Sequence, residues 1–153
     1  MEKEEFSRRV LACSDALYRI GYALLQNPAD ASDAVQTALL KVWERSASLR
    51  PQTFRAYLTR AVVNECRTIQ RQRMRAVPVA EPRAQDAYDP PDFALREALD
   101  SLQEAYRLPL LLCYMEGYTV KEAARALGIT PAALKSRLFR ARRLFQKRWE
   151  ERP

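Results

Sequence analysis

The chain has 153 residues, of which 48% are hydrophobic, and it contains no histidine. This share of apolar residues is enough to form packed cores, so the sequence is not that of a disordered tail. The formal net charge is +7 at pH 7, and basic residues cluster in residues 55–75 and 117–153, with an acidic stretch between them. Two separate basic regions predict two separate contacts with a polyanion. Only three glycines and few alternating β-branched runs favour an all-α fold.

The three cysteines, Cys13, Cys66 and Cys113, lie far apart within helical patterns. With no histidine and no closely spaced cysteine pair, they offer no ligand set for structural zinc. We therefore expect buried free thiols in a reducing cytoplasm, with no metal and no cofactor. The charged N-terminus and the lack of a long apolar run predict neither export nor a membrane span.

The first predicted helix covers residues 4–26, where apolar residues recur at steps of three and four. Ser14 and Gly21 are its candidate break points. We expect Asn27 and Pro28 to end it, because proline disfavours a helical conformation in the residue before it.

The second predicted helix begins with an acidic turn at Asp30 and Asp33, which is favourable beside a helix dipole. The helix is predicted to run through Val35, Leu39, Val42 and Trp43. Its exposed face is predicted to hold Asp33, Gln36, Thr37 and Lys41.

Residues 46–53 form a loop by composition, and Thr53 is the expected cap of a third helix. The inward residues of that helix are predicted to be Phe54, Tyr57, Leu58, Ala61 and Val62. Its C-terminal part, residues 66–75, contains four arginines and no acid. A solvated face usually mixes charges of both signs, so this part predicts a phosphate contact.

Residues 76–92 contain four prolines and no apolar period, which predicts a linker. Helical pattern resumes at Phe93. Ser101 and Glu104 have the spacing of a capping box that would open a further helix. Pro109 lies inside that helix and removes one backbone hydrogen bond, so we expect a kink there.

Two short helices joined by Gly128 are predicted in residues 118–144. Thr119 and Glu122 have the spacing of a capping box, and Gly128 suits the left-handed conformation that ends a helix. Thr130 and Pro131 then suit the cap and the first position of the second helix.

The second of these helices has one apolar and one basic face. The apolar residues are Leu134, Leu138, Ala141 and Phe145. The opposite face presents Ala132, Lys135, Ser136, Phe139, Arg140 and Arg143. A basic, partly small-residue face that starts at a helix N-terminus suits insertion into a DNA major groove. The alternative is a helical hairpin with a solvated basic side.

Three segments of the chain resemble the bacterial RNA polymerase sigma factors of the sigma-70 family, extracytoplasmic-function (ECF) type. They are DASDAVQTALLKVW (30–43), FRAYLTRAVVNECRT (54–68) and residues 102–144. The likeness covers essentially the whole chain outside the predicted linker, in the order that the family has. The chain departs from the usual residues of the family at Ser32, Thr37, Glu65 and Gln103.

The resemblance implies that the N-terminal domain docks on the clamp helices of core RNA polymerase, and that the flap of the polymerase is a second contact. The implied polymerase-binding residues are Asp33, Gln36, Thr37 and Lys41. The resemblance also implies capture of the non-template strand of the promoter −10 element. The implied contacts are Asn64, Arg60, Arg67 and Arg71. Reading an extruded base needs a polar pocket and cations for the backbone. The alternative for Asn64 is a surface amide without such a role.

For the C-terminal domain, the resemblance implies recognition of the duplex −35 element. The implied base-facing residues are Lys135, Ser136, Phe139 and Arg140, with Arg137 and Arg143 at flanking phosphates. Lys135 and Arg140 can donate to guanine acceptors, and Phe139 can touch a thymine methyl. A packing role is the alternative for Phe139.

The sequence therefore predicts an all-α protein of two small helical domains. Residues 1–75 would form a region 2-like bundle, residues 76–92 a flexible linker and residues 93–153 a region 4-like helix-turn-helix domain. The implied function is a transcription initiation factor, not an enzyme, whose partners are core RNA polymerase, promoter DNA and an anti-sigma factor. The alternatives are a free-standing helix-turn-helix regulator and, more weakly, a recombinase or nuclease, for which the sequence offers no catalytic residue set.

Overall fold

The computed structural model describes residues 1–76 and 93–151, and these residues form helices and no strand. The predicted all-α fold is confirmed for this part of the chain. The α-helices are α1 (Lys3–Leu25), α2 (Pro28–Glu44), α3 (Phe54–Arg75), α4 (Phe93–Asp100), α5 (Glu104–Leu110), α6 (Val120–Leu127) and α7 (Pro131–Glu150). Two short 3-10 helices, Ser46–Ser48 and Pro51–Thr53, occupy the predicted loop before α3.

Helices α1, α2 and α3 pack on one another and form what we call the N-terminal bundle. Leu17, Ile20, Leu58 and Val62 are fully buried between them. Helix α1 runs without a break, so the candidate break at Gly21 is wrong. A Cβ at this glycine would meet Ala31 of α2 at 3.5 Å, an ordinary van der Waals distance, so the contact between the two helices does not require glycine here.

The turn between α1 and α2 differs from its prediction in mechanism. Helix α1 ends at Leu25 because Gln26 adopts a left-handed conformation, with φ of 51°. The Asn27 side chain then accepts a hydrogen bond from the Asp30 amide at 2.9 Å, and Pro28 occupies the first position of α2. The Asn-Pro pair therefore starts the second helix.

Two predicted caps are wrong. The Thr53 hydroxyl donates to the Arg50 carbonyl oxygen at 3.4 Å, and it makes no cap hydrogen bond to α3. The Ser101 hydroxyl donates to the Ala98 carbonyl oxygen at 2.6 Å, and α5 begins after Gln103 without a side-chain cap. In both cases a carbonyl three residues earlier takes the hydroxyl proton, a local bond that serine and threonine commonly make.

Helices α4 to α7 form what we call the C-terminal bundle. Pro109 is buried inside it, and the chain continues past Leu110 as a π-helical turn, Leu111–Met115, in which the Glu116 amide donates to the Leu111 carbonyl. The expected kink at Pro109 remains a prediction, and the wider turn lies after this residue in the chain.

The helix-turn-helix of α6 and α7 forms as predicted. Thr119 and Glu122 make a complete capping box, and Gly128 has φ of 70°. Thr130 accepts a hydrogen bond from the Ala133 amide at 3.1 Å, with Pro131 at the first position of α7. The buried residues of α7 are Leu134, Leu138 and Ala141, with Phe145 partly buried against them.

The buried residues of the two bundles belong to one continuous core. The predicted division at residues 75 and 92 remains a prediction, and most of the predicted linker, residues 77–92, lies outside the described residues, as do residues 152–153. The thiols are free, with Cys13 and Cys66 buried and Cys113 partly exposed. Burial raises the pKa of the Cys66 thiol to about 12, so this group stays a protonated, unreactive thiol at neutral pH.

We expect Leu58→Ala to lower the free energy of unfolding by about 2–5 kcal/mol, because it leaves a cavity in the N-terminal bundle. Leu11→Ala is the matched control, since Leu11 is 75% exposed on α1, and its effect should stay within about 0.5 kcal/mol. Urea unfolding followed by circular dichroism measures both. Equal effects of the two substitutions would contradict the placement of Leu58.

Candidate nucleic-acid interface

One face of α7 is basic and open to solvent. Lys135, Ser136, Phe139, Arg140 and Arg143 are exposed there, while Arg137 is partly covered. Phe139 is 57% exposed, so the packing alternative for this residue is wrong. The Arg143 guanidinium lies 5.7 Å from the centre of the Phe139 ring, which makes a cation–π contact. The structure therefore brings these residues together on one face of α7. The opposite face, which includes Leu134, packs into the C-terminal bundle.

A second polar surface lies where α2 meets α3. An open cleft of about 690 Å³ is lined there by Lys41, Tyr57, Arg60, Asn64 and Glu65, among others. Tyr57 was predicted to face inward, but it is 37% exposed and borders the cleft. An aromatic ring beside a polar amide is a suitable surface for an unstacked base. The sequence pattern could not predict that Tyr57 borders the cleft, because Tyr57 fits the apolar period of α3.

Lys41 borders this cleft, and its side chain is 64% exposed. Its ammonium group donates to the Glu65 carboxylate of α3 at 2.5 Å. Glu65 is one of the residues that depart from the usual family pattern. The ion pair joins α2 to α3 at the wall of the cleft. It places charges of both signs next to Asn64.

The remaining predicted polymerase-binding residues share an exposed face of α2. Asp33, Gln36 and Thr37 are all solvent-exposed. Leu40 lies one turn further along the same face and is 67% exposed. The sequence pattern gave no reason to single out Leu40, because an isolated leucine on a helix is unremarkable until its neighbours are seen to leave it uncovered.

The arginines near the end of α3 differ in their surroundings. Arg71 is exposed and donates to the Thr68 hydroxyl at 3.1 Å. Arg67 lies 3.9 Å from the Glu104 carboxylate of the C-terminal bundle. Arg73 instead donates to the Leu25 carbonyl at 2.9 Å and to the Asp30 carboxylate. Arg73 therefore stabilises the α1–α2 turn, and the basic tail is only partly available to a phosphate.

One polar contact between the bundles is made by Arg55 of α3. Its guanidinium donates two hydrogen bonds to the Glu122 carboxylate, at 2.8 and 2.9 Å, and lies 4.1 Å from the centre of the Tyr118 ring. The Thr59 hydroxyl donates to the Arg55 carbonyl at 2.7 Å and lies 2.7 Å from the Tyr118 hydroxyl. Since the threonine proton is already used, the tyrosine hydroxyl donates. Burial raises the pKa of Tyr118, so the phenol keeps the proton that it donates.

A second ion pair connects α1 with the end of the π-helical turn. Arg19 donates to both oxygens of the Glu116 carboxylate, at 2.6 and 2.8 Å. The Glu116 side chain is only 5% exposed. The hydrogen bond that Arg19 donates to Glu116 raises the pKa of the Arg19 guanidinium, so this guanidinium is charged at neutral pH.

Two family models match the chain. The model for sigma-70 region 2 matches residues 10–76, and the model for sigma-70, region 4 matches residues 92–145. The chain is also 33% identical over 144 residues to the RNA polymerase sigma-E factor of Streptomyces coelicolor, covering 90% of this chain and 81% of that protein. The chain belongs to the ECF group of sigma-70 family sigma factors.

Other relatives of this sigma factor are longer. It is 30% identical to the ECF RNA polymerase sigma factor SigE of Mycolicibacterium smegmatis, with 84% of this chain and 55% of that protein covered. It spans 39% of the probable RNA polymerase sigma factor RfaY of Xanthomonas campestris, to which it is 30% identical over 92% of this chain. The chain thus spans about half the length or less of these relatives.

Solved structures share the fold of this sigma factor. The sigma factor RpoE in complex with the anti-sigma factor NepR from Bartonella quintana gives a TM-score of 0.77 at 23% identity, with 98% of this chain and 99% of that chain covered. CnrH in complex with the cytosolic domain of CnrY gives a TM-score of 0.73 at 21% identity, with 99% and 92% covered. In the described part of the sigma factor, no helix combines the length and apolar character that crossing a membrane requires.

We expect the contact between Arg55 and Glu122 to make the stability of this sigma factor depend on pH. The hydrogen bond from Arg55 is the main reason that the pKa of Glu122 lies below its ordinary value of 4.5. A lowered folded-state pKa gives stabilisation that is present above the ordinary value and is lost as pH falls through the folded-state value.

The variant Glu122→Gln tests this, because glutamine keeps the capping box and removes the charge. Wild type should be more stable than the variant at about pH 7, by less than about 1 kcal/mol for so exposed a pair, as measured by thermal unfolding. The difference should shrink as the pH is lowered from about 7 through the ordinary carboxyl pKa value of 4.5 and below. A difference that stays constant between these pH values would contradict the ionic contribution of Glu122.

Proposed function

We propose that this protein is a transcription initiation factor that binds core RNA polymerase, directs it to promoters by reading −10 and −35 elements, and aids promoter opening. One observation supports the proposal: a chain of this family has two separate surfaces whose residues suit nucleic acid, the cleft between α2 and α3 and the basic face of α7. A free-standing duplex binder needs only the second. The bond chemistry would remain with the polymerase, in the cytoplasm.

The cleft is the proposed site for the −10 element. Asn64 can read the polar edge of an extruded base, while Tyr57 offers a ring for stacking. Arg60 lies in the same cleft, and exposed Arg71 lies further along α3, where each can contact the backbone phosphates of a single strand. Capture of an unpaired strand would favour the open promoter over the closed duplex.

The exposed face of α7 is the proposed site for the −35 element. Lys135 and Arg140 suit the acceptors of guanine, and Phe139 suits a thymine methyl. Arg143 and Arg137 suit phosphates, which position the helix without reading sequence. Helix α6 and the turn at Gly128 lead into α7 as in a helix-turn-helix, a motif that places its second helix in the major groove.

The exposed face of α2 is the proposed polymerase-binding surface. Asp33, Gln36 and Thr37 supply polar contacts, and the uncovered Leu40 supplies an apolar centre of the kind that stable interfaces bury. The proposed contacts on the polymerase are the clamp helices and, for the C-terminal bundle, the flap. An anti-sigma factor is a further proposed partner, since one solved structure of the same fold is a sigma factor in complex with an anti-sigma factor.

Transcription from genomic DNA fragments by purified core polymerase tests the proposal. The protein should convert non-specific initiation into discrete transcripts that start at fixed positions. The free-standing regulator is the better description if the protein protects duplex sites from cleavage without polymerase and yields no specific transcript on any fragment.

We expect Asn64→Ala to weaken promoter opening, because it removes the polar group that faces the extruded base. Loss of a single-strand contact of about 1–3 kcal/mol corresponds to roughly 5- to 150-fold in open complex formation. Permanganate reactivity of unpaired thymines measures opening. Gln72→Ala is the control, since Gln72 is exposed on α3 two turns away, and it should leave opening unchanged.

Substitutions on α7 should separate base reading from phosphate contact. Arg140→Ala should cost about 1–3 kcal/mol at a matched −35 element and little at a mismatched one. Arg143→Ala should weaken binding of all sequences alike and reduce the slope of log affinity against log salt by about 1. Competition binding of the polymerase complex to −35 variants at several salt concentrations distinguishes the two. Equal sequence preference in both variants would contradict the base-facing role of Arg140.

A further inference from the structure

The cleft between α2 and α3 holds charges of both signs beside the residue proposed to read a base. Its basic side chains are Lys41, Arg45 and Arg60, its acidic side chains are Glu44 and Glu65, and Asn64 lines it as well. A phosphate contact carries no sequence information, and each free cation adds affinity for every single strand alike. Free cations in a cleft that reads a base therefore work against its selectivity.

Lys41 is held by a carboxylate of the cleft itself. Its ammonium group donates to Oε1 of Glu65 at 2.5 Å. The Glu65 side chain is only 15% exposed, whereas the Lys41 side chain is 64% exposed. A carboxylate enclosed to this degree is costly without a counter-charge. Glu65 therefore restrains an ammonium group whose flexible four-carbon stem could otherwise follow a phosphate.

The backbone cation of the same helix is placed differently. The Arg71 guanidinium donates to a neutral hydroxyl, that of Thr68, at 3.1 Å, so its charge is not neutralised there. Arg71 lies seven residues after Asn64 in α3, or about 10 Å along the helix at about 1.5 Å per residue. A strand can thus have its phosphates bound outside the cleft while one of its bases enters it.

We propose that Glu65 is a positioning residue that acts through Lys41. By holding this ammonium group, it keeps the DNA backbone from occupying the cleft, so that capture of the −10 strand depends on the base that reaches Asn64. This inference rests on the proposed function, and it gives Lys41 a role in the −10 cleft. A strand with an unsuitable base would gain more from a released lysine than a strand whose base is already seated, so Glu65 disfavours the wrong strand.

Glu65→Gln tests the proposal, because glutamine keeps the shape of the side chain and releases the lysine. The variant is bound to core polymerase at saturating concentration and given two labelled single strands, the −10 sequence mapped upstream of its transcripts and a scrambled version. The scrambled strand should bind roughly two- to fivefold tighter than to wild type at low salt. Its slope of log affinity against log salt should steepen by about 0.7. The matched strand should gain less, so the preference between the strands narrows.

Two further variants separate the release of Lys41 from a change in net charge. Glu44→Gln removes the same charge from the same cleft without releasing Lys41, so it should leave the preference between the strands as it is. The double variant Lys41→Gln/Glu65→Gln has no lysine to release and should regain the wild-type preference. Circular dichroism confirms that each variant is folded, and binding to core polymerase is titrated separately because Lys41 is also a proposed polymerase contact.

Acylation of lysine amines in the free protein, followed by mass spectrometry, measures the restraint on Lys41 without DNA or polymerase. Lys41 should react faster in Glu65→Gln than in wild type, because the ion pair occupies its amine. Lys135 is the internal control, since it is exposed on α7 and should react equally in both proteins.

The outcomes separate this role from the proposed function. Weaker binding of both strands by Glu65→Gln, an equal gain for both, or the same narrowing in Glu44→Gln overturns the role of Glu65. Equal acylation of Lys41 in the two proteins overturns it as well. If the wild-type complex does not distinguish the strands at all, the proposed reading of the −10 element fails, while acylation still decides whether Glu65 holds Lys41.

Discussion

The position of the Arg55 guanidinium determines how the two bundles meet. The planar group lies on the ring of Tyr118 and fits both oxygens of Glu122, a geometry that a lysine could not reproduce. The backbone of the same residue accepts the proton of Thr59, which in turn accepts from Tyr118. One turn of α3 thus supplies hydrogen-bond partners to both Glu122 and Tyr118. The apolar residues of the two bundles form one core.

The features that could be predicted from the sequence are those decided within a few residues. The helix-turn-helix is predictable because Thr119 with Glu122, Gly128, and Thr130 with Pro131 each fix a local backbone conformation. The same reasoning failed at Thr53 and Ser101, where a nearby carbonyl competes for the hydroxyl. A capping residue has two possible partners, and the sequence alone does not say which one the backbone brings into reach.

The contacts between the bundles could not be predicted, since they join residues far apart in the chain. Nothing local to Arg19 points to Glu116, which lies 97 positions later. The cleft could not be predicted either, since it forms where α2 meets α3. Tyr57 fits an apolar period and still faces solvent there. The roles of Asn64 and Lys135 come from family resemblance. The structure places both on exposed surfaces, and their contacts with DNA remain predictions.

The ion pair between Lys41 and Glu65 has a consequence for how such a protein can change over generations. Lys41 belongs to the helix proposed to bind polymerase, and Glu65 follows directly after the residue proposed to read a base. A substitution that alters one partner leaves the other charge without its counterpart in the wall of the same cleft. We therefore expect new promoter preferences at this cleft to arise through paired substitutions. Changes in promoter preference and changes in polymerase binding would then occur together.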